Sequence, residues 1–132
     1  MKSARAIQNY RDLDVYKESF RFQQAVFVAS KQFPKEERYA LADQVRRSSR
    51  SIGANLAEGW SKRRYEAHFL SKLTDADGEL QETTHWLRTA FACEYLTKAA
   101  CTSLMKQARS IGKMLGSMMA SHGSFCRPSS RP

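Results

Sequence analysis

The sequence predicts an all-α protein, an up-and-down antiparallel bundle of four helices, and three observations carry that expectation. Apolar residues recur at helical steps in four separate stretches, and no strand-like alternation competes with them. The connections between the stretches are short, which makes sequential helices antiparallel neighbours. Of the three prolines, Pro34, Pro128 and Pro132, only the first interrupts the body of the chain.

The first helix is expected over residues 13–32, after Asp12 as N-cap, with Tyr16, Phe20, Ala25, Phe27 and Val28 as its apolar set. Phe33-Pro34 ends it, because the residue before proline is pushed out of the helical region. Pro34 followed by Glu36 and Glu37 suits the first turn of a second helix over residues 36–60. Its seam is Leu41, Val45, Ser48, Ile52 and Leu56. Gly59, Ser61 and the basic trio Lys62, Arg63 and Arg64 form the next connection, since helix C-termini favour glycine and positive charge. The third helix spans residues 65–92, with Phe69, Leu73, Ala76, Leu80, Thr84, Leu87 and Phe91 on one stripe. Thr97 caps the fourth, over residues 98–121, whose apolar face is Cys101, Leu104, Ala108, Ile111, Leu115, Met118 and Met119. One domain therefore covers residues 13–121. A basic arm precedes it over residues 1–12, and a tail over residues 122–132 has the Ser, Arg and Pro composition of a disordered end.

A chain of 132 residues with 42% hydrophobic and 27% charged residues can bury a core, which excludes a disordered protein. No apolar run approaches the roughly 18 residues of a membrane span. The start has no apolar stretch or cleavage site of a signal peptide, so a cytoplasmic protein with no membrane partner is expected. Lys and Arg number 22 against 13 Asp and Glu, a formal +9 that favours polyanionic partners, and the excess sits towards the two ends.

The chemistry of catalysis is missing from the sequence. Cys93, Cys101 and Cys126 form no C-x-x-C pair, so neither a disulfide framework nor a zinc site is encoded. There is no glycine-rich phosphate loop, no H-E-x-x-H and no G-x-S-x-G. Glu82-x-x-His85 has bundle metal-site spacing but occurs once and outside the apolar stripe, and His122-x-x-x-Cys126 lacks further ligands. A protein without enzymatic activity, metal or cofactor is the expectation.

The polar faces are more informative. Gln44, Ser48, Ser51, Asn55 and Glu58 form a ridge on the second helix, mostly small and uncharged, which fits a packed interface better than a solvated face; an ordinary surface is the alternative. Arg46, Arg47 and Arg50 lie on the far side, with Arg46 and Arg50 one turn apart, so that their guanidinium groups either grip phosphate or carboxylate or stand in water. On the fourth helix Lys98, Lys106, Arg109 and Lys113 make a purely basic stripe, about 22 Å long at 1.5 Å per residue. It follows a phosphate backbone or merely solubilises the helix. Asp75, Glu79 and Glu82 line the outer face of the third helix beside Trp86, either meeting basic groups of another subunit or facing water.

Three strings in the second-helix region carry a resemblance: Phe33-Pro34-Lys35-Glu36-Glu37-Arg38-Tyr39, Gln44-Val45-Arg46-Arg47, and Ser51-Ile52-Gly53-Ala54-Asn55-Leu56-Ala57-Glu58-Gly59. They resemble the signature of the bacterial four-helix-bundle proteins first described as ribosomal-RNA intervening-sequence proteins, which include the accessory variability determinant of diversity-generating retroelements. The likeness covers roughly residues 13–121. In the third helix, Ala76, Gly78 and Glu82 keep the family's A-x-G-S-x-x-E pattern, and Glu79 stands where the family shows serine.

The resemblance implies a homopentameric ring of bundles without catalytic activity that binds nucleic acid through a basic surface, and, for the retroelement members, partnership with a reverse transcriptase. By the same likeness Gln44, Ser51, Asn55 and Glu58 are structural, and Arg46 and Arg47 belong to the basic surface. The expected function is thus an oligomeric nucleic-acid-binding protein acting through Arg46, Arg47, Arg50, Lys98, Lys106, Arg109 and Lys113. The alternative is an interaction scaffold for a reverse transcriptase or another nucleic-acid enzyme.

Overall fold

The computed structural model describes residues 7–126. The parts of the basic arm and of the tail at residues 1–6 and 127–132 lie outside the described residues. Four α-helices make up the molecule: α1 (Asp14–Ser30), α2 (Leu41–Ser61), α3 (Glu66–Ala92) and α4 (Lys98–Ala120). Each packs on its neighbour in the chain, and α4 closes against α1. That cyclic order is an up-and-down bundle, with the α2–α3 seam the most extensive.

Its core is a column of large apolar side chains from all four helices, among them Phe22, Ile52, Leu56, Phe69, Leu73, Leu80, Ile111 and Leu115. On α3 the buried positions are Phe69, Leu73, Ala76, Leu80, Thr83, Leu87 and Ala90, at strict alternating steps of four and three residues. Such a 3.5-residue repeat keeps one seam against a slightly supercoiled neighbour. Thr84 and Phe91, expected on this stripe, fall beside it, and Phe91 is 43% exposed.

Helix α1 is rotated from its expected orientation. Its inward row is Val15, Ser19, Phe22, Val26 and Ser30, whereas Phe20 and Val28 are 46% and 59% exposed. The two buried serines need no outside partner to enter the core, because Ser19 Oγ donates to the Val15 carbonyl at 2.7 Å and Ser30 Oγ to the Phe27 carbonyl at 2.8 Å.

The helix ends also differ from expectation. Asp12 does not cap α1; it closes a capping box with Asn9 around the short 3-10 turn Tyr10–Asp12. α2 starts at Leu41, not at residue 36. After Pro34 the chain makes a 3-10 turn, Lys35–Glu37, and Ala40 at φ -124 and ψ -99 interrupts the spiral. The Glu37 carboxylate then accepts from the Leu41 N–H at 3.3 Å and from the Tyr95 hydroxyl at 2.9 Å, tying the α1–α2 connection to the α3–α4 connection. α3 ends with Glu94 in the left-handed region at φ 65, and the Tyr95 N–H reaches back to the Ala90 carbonyl at 2.8 Å. Thr97 caps α4 as expected, its Oγ1 accepting from the Ala100 N–H at 3.1 Å.

The start of the expected disordered tail is packed. Residues His122–Phe125 form a 3-10 turn, Cys126 is buried, and the Phe125 ring stands 6.3 Å from Trp60 and 6.2 Å from Phe69. His122 Nδ1 lies 2.7 Å from Glu66 Oε2 at the start of α3. Apolar closure by Phe125 and Cys126 and this contact hold residues 122–126, whereas the Arg and Pro residues that suggested disorder lie outside the described residues.

Candidate nucleic-acid interface

The cations expected to meet nucleic acid fall into two groups. Arg46 and Arg50 project from α2 towards α1, where α1 supplies Phe27, Ser30 and Lys31. Antiparallel packing makes this cluster: Phe27, Ser30 and Lys31 share one face at steps of three and four, and the hairpin register sets that face beside Arg46 and Arg50. Lys31 Nζ lies 4.8 Å, Arg46 Cζ 4.9 Å and Arg50 Cζ 5.4 Å from the centroid of the Phe27 ring. Arg46 Nε donates to Ser30 Oγ at 2.7 Å, which fixes the guanidinium plane. Beside the cluster runs a groove of about 430 Å³ lined by Asp43, Gln44, Arg46, Arg47, Arg50, Ser51 and Ala54.

Arg47 behaves differently. Its Nη2 contacts Gln44 Oε1 at 3.2 Å and Glu82 Oε2 at 3.5 Å, so it bridges α2 to α3 within the chain. On α4, Lys98, Lys106, Arg109 and Lys113 are all exposed. Arg109 and Lys113 rim a shallow groove against α3 in which Asp77 also stands.

The small polar ridge of α2 is satisfied largely within the chain. Ser48 is fully buried between α2 and α3, with its hydroxyl 2.8 Å from Thr83 Oγ1. Ser51 Oγ donates to the Arg47 carbonyl at 2.8 Å, and Asn55 Nδ2 donates to the Ser51 carbonyl at 2.9 Å. Lys72 on α3 gathers the rest, at 2.8 Å from Glu58, 3.5 Å from Asn55 Oδ1 and 3.9 Å from Asp75. The hydrogen bond from Lys72 holds the Glu58 carboxyl below its ordinary range, and Glu58 in turn raises the Lys72 ammonium.

Trp86, beside the acidic residues expected on the outer face of the third helix, is half-buried against the core, and its Nε1 donates to Glu82 Oε2 at 3.1 Å. Glu79, at the family's serine position, is half-buried, and its Oε1 is shielded from water without a hydrogen-bond partner among the described residues.

Sequence reasoning missed Lys31, Ser30 and Phe27 as members of the α2 cluster. The signal was present as Phe27-x-x-Ser30-Lys31 on one helix and Arg46-x-x-x-Arg50 on the next. Only the rotation of α1 brings them together.

Among the described residues no group of three or more His, Cys, Asp or Glu is placed to hold a metal, and no helix is long and apolar enough to cross a membrane. Fold and surface together define a basic four-helix-bundle protein whose distinctive chemistry lies in its exposed cations. The chain belongs to the 23S rRNA-intervening sequence protein family, whose model matches residues 11–117. It is similar in structure to a protein of unknown function from the S23 ribosomal protein family of Bacteroides thetaiotaomicron, at 29% identity and a TM-score of 0.72, over 80% of this chain and 95% of that one. No curated protein matches the chain.

Proposed function

We propose that this protein is a non-enzymatic, self-associating bundle that binds nucleic acid through its cationic faces. The observation that carries the reading is that Arg46 and Arg50 on α2 and the four cations of α4 have no carboxylate partner within ion-pair distance among the described residues, whereas Arg21, Arg47 and Lys72 do. Cations left unpaired at a surface are available to displace counterions from phosphate. Self-association multiplies such modest surfaces, because several copies held together engage one strand at once.

The homopentamer that family likeness implies is part of this proposal. For its contacts we favour the apolar side chains left outside on α1, Phe20 and Val28, over the α2 ridge, whose side chains already bond largely within the chain. Fluorescence anisotropy on RNA and DNA over a salt series tests the binding. Affinity should fall with a log-log slope of about -0.9 per neutralised phosphate on duplex DNA, and K106E/R109E/K113E should weaken it and flatten the slope. Absence of binding at low salt, or indifference to the triple reversal, would refute the reading. Co-purification with a polymerase or reverse transcriptase in place of nucleic acid would favour the scaffold alternative.

A further inference from the structure

We propose that Lys31, Arg46 and Arg50 form a site for a phosphomonoester, the terminal phosphate of a nucleic-acid strand or of a mononucleotide; the strand-borne form rests on the nucleic-acid reading above. Each charge lies within 5.4 Å of the Phe27 ring centre, so no two are farther apart than about one Debye length at 0.1 M salt, roughly 10 Å. Three like charges drawn that close repel one another, and contact with one aromatic ring offsets the repulsion only in part.

Elsewhere on this chain some cations are neutralised by carboxylates, Arg21 by Glu18, Arg47 by Glu82, and Lys72 by Glu58 and Asp75, while the unpaired cations of α4 are strung along an extended stripe rather than gathered on one ring. None of the three cations around Phe27 has such a partner among the described residues. Asp43, which lines the adjoining groove, is not paired with any of them. The central cation, Arg46, is also held in place in advance. Ser30 is 2% exposed, its Oγ is anchored on the Phe27 carbonyl, and it holds Arg46 by Nε, leaving both terminal guanidinium nitrogens free of protein partners among the described residues.

The shape of the charge selects the ligand. A phosphodiester backbone carries single charges spaced along a line, which suits an extended stripe such as Lys98 to Lys113 on α4. A monoester concentrates about two negative charges and three acceptor oxygens on one phosphorus, which suits three cations gathered around one ring.

The test is binding of the full chain to a short single-stranded RNA with a 5′-phosphate and to the same strand with a 5′-hydroxyl, read by fluorescence anisotropy near neutral pH. AMP and adenosine serve as competitors and are also titrated directly into the unlabelled chain by calorimetry. The phosphorylated strand should bind about tenfold more tightly, the gain of one charge-assisted contact. The ratio should shrink as pH falls through about 6, where the monoester takes up its second proton. Lys31→Gln and Arg50→Gln, which break no hydrogen bond, should each drive the ratio towards one, whereas K106E/R109E/K113E should weaken both strands and leave the ratio.

AMP competing as well as the phosphorylated strand would confirm the site and assign it to mononucleotides; weak competition by AMP would assign it to strand ends. Preference for AMP over adenosine with neither strand bound would keep the site and remove the nucleic-acid reading. Equal affinity for the two strands, with no preference between AMP and adenosine, would overturn the proposal while leaving general nucleic-acid binding intact.

Discussion

The Thr83 hydroxyl of α3 meets the Ser48 hydroxyl of α2 at 2.8 Å, and neither side chain is exposed to water. Thr83 Oγ1 also lies 2.8 Å from the Glu79 carbonyl, and Ser48 Oγ lies 3.4 Å from the Val45 carbonyl, so each hydroxyl has both a partner across the seam and one on its own helix. The pair joins the two helices at a point where larger side chains would force them apart.

Removing one hydroxyl should therefore cost more than half of removing both. Ser48→Ala and Thr83→Val should each destabilise the fold by about 1 kcal/mol, and the double variant should lose less than the sum, because no orphaned partner is left. Urea denaturation of the four proteins measures the coupling. Strict additivity would show that the contact contributes nothing.

Glycines separate by what stands opposite them. A Cβ at Gly59 would meet Lys72 Cβ at 3.0 Å, whereas nothing lies within 4 Å at Gly78 or Gly116. Gly78→Ala and Gly116→Ala should each stabilise the chain by up to about 1 kcal/mol through helix propensity. Gly59→Ala should instead lose about 1 kcal/mol, since overpacking against the first carbon of Lys72 exceeds that gain. Thermal unfolding of the three variants checks the opposite signs.

Alkaline pH should loosen the tie between the two connections. The hydrogen bond to Glu37, then burial, pushes the Tyr95 hydroxyl up from 10.0 to about 12. Raising the pKa of an acid stabilises its protonated form in the fold, so the contribution is complete below 10.0 and is lost as pH rises through about 12. Stability measured from pH 9 upward should fall more steeply for the wild type than for Tyr95→Phe. Identical slopes would show that the bond does not form in solution.

The proposed self-association should depend on the exposed face of α1. Phe20→Glu with Val28→Glu should leave the circular dichroism of the helices unchanged and lower the mass found by light scattering towards that of one protomer. An unchanged oligomer would place the subunit contacts on another face.

The four helices were legible because their apolar periods are long and their connections short. The orientation of α1 was not. Judged by size, Tyr16, Phe20, Phe27 and Val28 read as the core row, but the inward row includes Ser19 and Ser30, whose hydroxyls are satisfied by their own helix and so enter a dry interior cheaply. On α3 the same bias towards large residues selected Phe91 over Ala90, although small residues are what close helix approach requires, and reading the stripe at about 3.6 rather than about 3.5 residues per turn selected Thr84 over Thr83. The candidate site suffered in turn. Arg46 and Arg50 were visible one turn apart on α2, but Lys31 and Phe27 join them only once α1 is turned correctly. Arg47 and Trp86 were visible too, yet their pairing with Glu82 depends on the α2–α3 register, which no short-range pattern encodes.

Ile7 and Phe125 line the same pocket, together with Leu13 and Met118, so the two described ends of the chain sit side by side at one pole of the bundle. A linker of a few residues could therefore rejoin them, and new termini opened in the α2–α3 connection would leave every helix whole. In such a circular permutant the helices would follow one another in a different order while keeping the same neighbours, so the architecture does not depend on which helix is made first.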